Sequence, residues 1–131
     1  MKFAELVQSA DWKTEKHVPV IEAPATAKAG EAVTVKVSVG KEIAHPNTTE
    51  HHIRWIKLYF KPEGGKFAYE VASAEFTAHG ESTDGANKGP VYSDPVASAA
   101  LKLSVSGTLV ATSYCNIHGL WESSQPITIQ G

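Results

Sequence analysis

The sequence predicts an all-β protein, an immunoglobulin-like antiparallel β-sandwich of about seven strands folded as a single domain over residues 1–131. Three observations predict it. Short segments alternate apolar and polar residues or are dense in β-branched and aromatic residues. Turns rich in glycine and proline separate these segments, and no helical pattern of 10–15 residues lies between them. The Cys…Trp…Cys hallmark of immunoglobulin domains is absent, so the architecture is inferred from strand spacing alone.

Seven segments are predicted as strands. In chain order they are VPVIE at 18–22, AVTVKVSV at 32–39, IRWIKLYF at 53–60, FAYEVASAEF at 67–76, LKLSVSG at 101–107, TLVATSY at 108–114 and PITIQ at 126–130. The second is the clearest, because its four valines alternate with Thr34, Lys36 and Ser38, which is typical of a half-buried strand. The turn-forming sequence PEGG at 62–65 predicts a hairpin over residues 53–76.

Two further segments fall outside the predicted strands. Residues 1–12 form an N-terminal extension, in which at most a short helical turn is expected. Residues 79–95 form a long polar segment with three glycines and two prolines. A loop of this length in a compact domain is typically functional, an assembly contact or mobile.

The charge balance and the apolar pattern exclude several classes of partner. Twelve Lys and Arg residues face 14 Asp and Glu residues, a net charge of −2, which gives no electrostatic reason to expect nucleic acid or an anionic membrane as a partner. No apolar stretch approaches the roughly 20 residues that span a bilayer, and the N-terminus lacks the pattern of a signal peptide. We expect a cytoplasmic location, which a single unpaired cysteine fits.

Cysteine is scarce and histidine is not. The single cysteine, Cys115, excludes an internal disulfide and any site built from a CxxC pair. The six histidines are at positions 17, 45, 51, 52, 79 and 118. Four segments that flank strands carry most of these residues: EKHVP, AHPN, EHHIRW and CNIHGLW. Loops from different strands meet at the ends of a sandwich, so these segments can converge.

Such a convergence would be rich in nitrogen and hold one thiolate, which suits iron, copper or zinc and disfavours magnesium or calcium. The spacing of Cys115 and His118 suits two ligands on one tight loop. His51 and His52 are adjacent on an incoming strand and should point to opposite faces, so at most one of them enters the site, and the spacing does not say which. We expect neither His52 nor His79 to be a ligand, and His79 has no supporting context in its loop.

The same residues have simpler interpretations. A buried free cysteine is most often a small hydrophobic residue, and a histidine beside a proline is usually a surface residue. Trp121, three residues after His118, could pack beside the site, but packing in the core is the expected role. Two rival metal sites also fit parts of the pattern: a structural zinc site of four ligands, and a cupredoxin-like electron carrier built on HPN at 45–47 and YCNIH at 114–118. The cupredoxin would need Gln125 or a carbonyl as its axial group and leaves EKH and EHH unexplained.

Four separated motifs resemble the superoxide reductase family, specifically its short neelaredoxin form. They are EKHVPVIE at 15–22, HPNTTEHHIRW at 45–55, HGES at 79–82 and YCNIHGLWES at 114–123. The resemblance runs from about Lys13 to Ile129, and four motifs in the same order are far more specific than any one of them.

The resemblance implies one mononuclear iron (Fe2+/Fe3+) per chain, held by four equatorial imidazoles and one axial thiolate. The implied ligands are His17, His45, His51, His118 and Cys115, with the HPN-x3-H spacing favouring His51 over His52. Longer relatives, the desulfoferrodoxins, carry a second iron on four cysteines, and a chain with one cysteine is not expected to hold it.

The implied activity is that of an enzyme that reduces superoxide by one electron to hydrogen peroxide. Lys16 would lie near the open iron position and attract the anionic substrate, and Glu15 could occupy the sixth position of the oxidised iron. The resemblance also implies rubredoxin or a similar small redox protein as the external electron donor, and a homotetramer as the assembly.

Overall fold

The computed structural model describes residues 1–131 and consists of β-strands in two sheets, with one short 3-10 helix at Phe3–Leu6. The nine strands are β1 (Val7–Gln8), β2 (Pro19–Glu22), β3 (Thr26–Lys28), β4 (Ala32–Val39), β5 (Ile53–Pro62), β6 (Tyr69–Glu75), β7 (Val96–Lys102), β8 (Gly107–Cys115) and β9 (Gly119–Gln130). The predicted all-β, immunoglobulin-like sandwich is confirmed. No helix is long and apolar enough to cross a membrane.

The larger sheet has the strand order β1-β9-β8-β5-β6, and the smaller has the order β2-β4-β7. Pairing is antiparallel except at the short edge strands β1 and β3, which both run parallel to β9. The predicted hairpin is the β5–β6 pair, with an irregularity in register between Leu58 and Tyr59.

Alternating side chains from both sheets form one core. In β4, Val33 and Val35 are buried between exposed residues, and the strand becomes buried throughout from Val37 onward. In β5, Ile56 and Leu58 are buried and alternate with half-buried residues. Burying one such side chain contributes roughly 1.5–3 kcal/mol. The pleat therefore places the apolar half of each strand between the sheets, as the sequence pattern predicts.

The strand boundaries differ from the predicted ones in the last third of the chain. The strand predicted over 101–107 lies at 96–102, and the strand predicted over 126–130 runs from 119 to 130. Polar residues in the first half of β9 hide its periodicity, and backbone pairing with β8 holds it extended. The two- and three-residue strands β1 and β3 are too short to show a period, which is why nine strands are found where about seven are predicted.

Three connections meet at one end of the sandwich. The segment before β2, the long connection from β4 to β5 and the turn from β8 to β9 all lie there. The last of these is a three-residue turn, 116–118, which closes where Cys115 pairs with Gly119. Gly119 has a φ of 83°, a left-handed conformation that glycine adopts without steric cost. This tight turn brings Cys115 and His118 close together.

Candidate metal centre

The structure brings together the five residues that the family resemblance nominates as ligands. Cys115 is the last residue of β8 and is fully buried, and His118 ends the following turn and is exposed. His17 is buried just before β2, while His45 and His51 are half-buried on the connection from β4 to β5.

The four imidazoles stand at the corners of a square. Neighbouring ring centroids are 4.9 Å apart for His17 and His45, 4.9 Å for His45 and His51, 5.0 Å for His51 and His118, and 4.5 Å for His118 and His17. The His17 and His51 centroids lie 6.3 Å apart across the diagonal. We call these four side chains the imidazole square.

The inward-facing atoms have the spacing of ligands to one ion. The Nδ1 of His118 lies 3.0 Å from the Nε2 of His17 and 3.2 Å from the Nε2 of His51. Two nitrogen atoms at right angles, each about 2.1 Å from an ion, would be about 3.0 Å apart. Ligand atoms of His17, His45, His51 and Cys115 also all lie within 4.8 Å of one another.

Hydrogen bonds outside the square orient two of its rings. The Nδ1 of His17 lies 2.5 Å from the carboxylate of Glu15, and the Nδ1 of His45 lies 2.6 Å from the carbonyl oxygen of Pro46. Each Nδ1–H therefore donates outward, and the Nε2 lone pair points inward. The Nε2 of His45 is buried without a hydrogen-bond partner. Because an unpaired buried polar atom is costly, a bound cation fits this position.

The local electrostatics favour the neutral forms of His45 and His51. Burial lowers the pKa of His45 to about 4, against the opposing hydrogen bond to Pro46, and the charges of His17 and His51 lower it further. Burial also lowers the pKa of His51, and the charge of His118 acts in the same direction. Neutral imidazole is the form that binds metals, so these rings need not lose a proton to do so near neutral pH.

Cys115 adds a sulfur ligand atom next to the square. Its Sγ lies 3.8 Å from the Nδ1 of His118 and accepts the backbone N–H of His118 at 3.4 Å. An N–H directed at sulfur stabilises the thiolate and tunes the metal that it binds. Four nitrogen atoms and one sulfur atom suit iron, copper or zinc.

Glu15 and Lys16 flank the square through the same segment. The hydrogen bond from His17 holds the pKa of Glu15 below its usual value, so this side chain is a carboxylate. In this structure the carboxylate contacts His17 and also accepts its backbone N–H at 3.2 Å. Lys16 is half-buried and directly precedes His17 in the chain, and its charge adds to the burial that lowers the pKa of His45 and His51.

His52 and His79 lie outside the square and stack on each other. Their ring centroids are 3.5 Å apart and their planes are inclined by 10°. The Nδ1 of His52 lies 2.8 Å from the carbonyl oxygen of Thr48, so the ring is engaged away from the square. The pleat argument left open which of His51 and His52 would face the site, and the structure turns His51 toward it.

Two further side chains contact the square or the connection that carries it. Trp121 is buried, as expected of a core residue, but its ring stacks on His17 with centroids 5.2 Å apart. The side chain of Asn116 accepts the backbone N–H of His52 at 2.9 Å and donates to the carbonyl of Glu50 at 2.9 Å. The available signal for Asn116 was its place in a tight turn directly after Cys115.

Fold and site together define a β-sandwich metalloprotein with a nitrogen-rich, single-cysteine centre. The family profile described as Desulfoferrodoxin matches residues 9–124. The chain belongs to this family, and within it to the neelaredoxin-type superoxide reductases.

Individual relatives support the same assignment over nearly the whole chain. The chain is 60% identical to the neelaredoxin of Megalodesulfovibrio gigas over 130 residues, which covers 99% of this chain and 100% of that protein. It is 61% identical to the superoxide reductase of Pyrococcus furiosus over 120 residues, 92% of this chain and 94% of that one. The structure of the superoxide reductase (neelaredoxin) of Archaeoglobus fulgidus in the reduced form superimposes with a TM-score of 0.87 at 63% identity, covering 94% of this chain and 98% of that one.

Proposed function

We propose that this chain is a superoxide reductase that converts superoxide to hydrogen peroxide at one mononuclear iron. The observation that carries the proposal is the imidazole square with the buried sulfur of Cys115 beside it. The reaction consumes one electron and two protons for each superoxide, and it returns no oxygen.

The proposed ligands are His17, His45, His51 and His118 as the equatorial imidazoles and Cys115 as the axial thiolate. The inward lone pairs of His17 and His45, set by Glu15 and by the carbonyl of Pro46, support the equatorial assignment. When bound, the iron supplies the electron that reduces superoxide. The Cys115 thiolate would donate electron density to a bound iron, as thiolates do in haem–thiolate enzymes.

The residues around the square serve the anionic substrate. The cation of Lys16 attracts superoxide and stabilises the negative charge that accumulates during its reduction. Glu15 orients His17 in the present conformation, and it has the ligand chemistry to close the sixth position after turnover. Both residues lie in the segment directly before His17, so one short stretch of chain supplies a ligand and both auxiliary groups.

The structure disfavours the cupredoxin alternative. In that interpretation two histidines and Cys115 would be the ligands, yet four imidazoles converge here. The axial candidate Gln125 instead donates to the carbonyl of Ala23 at 3.1 Å. A structural zinc site would need only four ligands and would leave one of the five converging side chains without a role.

The electron donor and the assembly are also part of the proposal. Rubredoxin or a similar small redox protein would re-reduce the iron, and the exposed residues Ile117 and His118 offer it a short path to the centre. The proposed assembly is a homotetramer, and a mainly apolar patch on the outer face of the larger sheet supports association between chains. Its residues are Phe3, Trp55, Lys57, Tyr59, Tyr114 and Leu120.

The remaining parts of the proposal concern the extent of the domain and its compartment. Residues 1–131 form one domain, which the single core shared by both sheets supports. The cytoplasm is the proposed location, because a free thiol that must bind metal is kept reduced there.

Metal analysis combined with a superoxide-consumption assay tests the function. We expect about one iron per chain, loss of superoxide with formation of hydrogen peroxide when a reductant is supplied, and no release of oxygen. Copper or zinc at one per chain would contradict the iron assignment. Release of oxygen equal to half of the superoxide consumed would indicate a dismutase instead.

A further inference from the structure

The long polar loop 79–95 lies against the connection that carries His45 and His51. Three of its residues bond to that connection. The hydroxyl of Thr49 donates to the carbonyl of His79 at 2.7 Å, and the side-chain amide of Asn47 donates to the carbonyl of Ser93. The third residue, Asn87, makes the largest number of these bonds.

Asn87 uses all its polar groups. Its Oδ1 accepts the backbone N–H of Thr49 at 2.7 Å, and its own N–H donates to the Thr49 hydroxyl at 3.2 Å. Its Nδ2 donates to both carboxylate oxygens of Glu50 at 3.0 Å, and its carbonyl accepts the hydroxyl of Tyr92 at 2.9 Å. Asn87 also has a φ of 63°, a left-handed conformation that few residues other than glycine and asparagine adopt.

These bonds hold the residues directly before His51. The turn from Thr48 to His51 is closed internally, because the N–H of His51 donates to the Thr48 hydroxyl at 3.0 Å and the N–H of Thr48 donates to the His51 carbonyl at 2.9 Å. Asn87 fixes the outside of this turn through Thr49 and Glu50. The turn directly before His51 is therefore held on its outer side by a residue from a distant part of the chain.

We propose that Asn87 is a positioning residue for the metal centre, holding the segment 45–51 in its metal-binding conformation before the ion arrives. A segment that is ordered in advance loses less conformational entropy when it binds. The role rests on the proposed metal centre, but it does not depend on superoxide being the substrate. If the bonds of Asn87 served only to close the surface loop 79–95, replacing Asn87 would not change the affinity for a metal.

Cobalt(II) binding to the full-length, metal-free protein tests this role, with thiolate-to-cobalt absorption as the signal. Asn87→Gly keeps the left-handed backbone and removes the side chain. We expect its cobalt Kd to rise by about 10- to 100-fold, the range for residues that orient metal ligands. Asn87→Asp keeps the acceptor for the backbone N–H of Thr49 but replaces the two bonds to Glu50 by a like-charge contact. Its cobalt Kd is therefore also expected to rise above that of the wild type. The adjacent exposed residue supplies the control, Lys88→Ala, which should stay within about twofold of wild type.

Hydrogen exchange of the metal-free protein separates positioning from general destabilisation. In Asn87→Gly, amide exchange should accelerate in residues 45–51 while the core strands β5 and β8 stay protected. Wild-type cobalt affinity together with wild-type exchange in both Asn87 variants would overturn the proposal. Faster exchange throughout the chain would do the same, since it would indicate a general stabilising role. If wild-type protein bound no cobalt, the metal centre itself would be wrong.

Discussion

The indole of Trp121 stacks on the imidazole of His17, with ring centroids 5.2 Å apart and 17° between the planes. Its Nε1–H also donates to the backbone carbonyl of His118 at 3.2 Å. One side chain of β9 thus contacts two adjacent corners of the imidazole square.

Replacing Trp121 should separate its packing role from its hydrogen bond. Trp121→Ala removes a buried ring and is expected to cost about 3–5 kcal/mol in the free energy of unfolding, measured with urea. Trp121→Phe keeps a ring against His17 but loses the bond to His118 and part of the buried ring, so a loss of about 1–3 kcal/mol is expected. Equal losses in the two variants would contradict the stacking role.

Glu15→Gln should weaken metal binding through His17. The amide is nearly isosteric but uncharged, so the hydrogen bond from Nδ1 of His17 becomes weaker. We expect a 10- to 100-fold loss in metal affinity, measured by competition with a chelator. The control is Glu63→Gln in the hairpin at the opposite end of the sandwich, where affinity should not change. An equal loss in both variants would exclude a specific role for Glu15.

Cys115→Ser should remove the thiolate-to-iron charge-transfer colour of the oxidised, iron-loaded protein. The hydroxyl is similar in size, so far-ultraviolet circular dichroism should still show the β-fold. The visible absorption spectrum is the measurement. Persistence of the wild-type band in the variant would disprove the axial assignment.

Lys16→Ala should slow superoxide consumption by roughly three- to tenfold at low salt, because the attracting charge beside the square is lost. Its dependence on ionic strength should also be weaker, since less steering remains to be screened. Pulse radiolysis at several salt concentrations measures both effects. Lys66→Ala, at the far end of the sandwich, should match wild type; identical low-salt rates for Lys16→Ala and wild type would refute the steering role.

The metal-free protein should lose stability as the pH falls from about 6.5 to about 4. The pKa of His45 is about 4 in the folded chain and about 6.5 when unfolded, so the unfolded chain binds the proton first in this window. The contribution of His45 is complete above the upper value. The shift corresponds to about 3 kcal/mol, which solvent screening of the partly exposed ring reduces to on the order of 2 kcal/mol. Urea unfolding of wild type and His45→Asn at several pH values measures it. An equally steep pH dependence in both would show that other groups cause the effect.

The sequence predicts the sandwich and the clustering of histidine-bearing loops because both follow from local patterns. Alternation in β4 and β5 shows which faces are buried, and loops at strand ends have few places to meet. The ligand set came from resemblance rather than from spacing. Whether His51 or His52 faces inward depends on the conformation of the turn before β5, which contacts with Asn87 and Asn116 stabilise from distant parts of the chain.

Trp121 and the loop 79–95 show the same limit of sequence reasoning. A tryptophan in a strand is expected to pack in the core. The residues around Trp121 in the sequence do not reveal that its indole stacks on His17, which lies more than 100 positions earlier in the chain. The loop contains polar residues of the types common in any surface loop. Its role becomes visible only when Thr49 and Asn87, 38 positions apart, are seen to exchange two hydrogen bonds.

The complete burial of Cys115 has a consequence for the durability of the enzyme. Hydrogen peroxide converts accessible thiolates to sulfenic acid and then irreversibly to sulfinic acid. A superoxide reductase produces this oxidant at every turnover, next to its own thiol. Closing the sulfur off from water at the end of β8, while His118 on the same turn stays exposed, lets peroxide diffuse away without meeting the atom it would damage. We therefore expect the number of turnovers before inactivation to fall when substitutions in β8 or its neighbours expose this single sulfur atom.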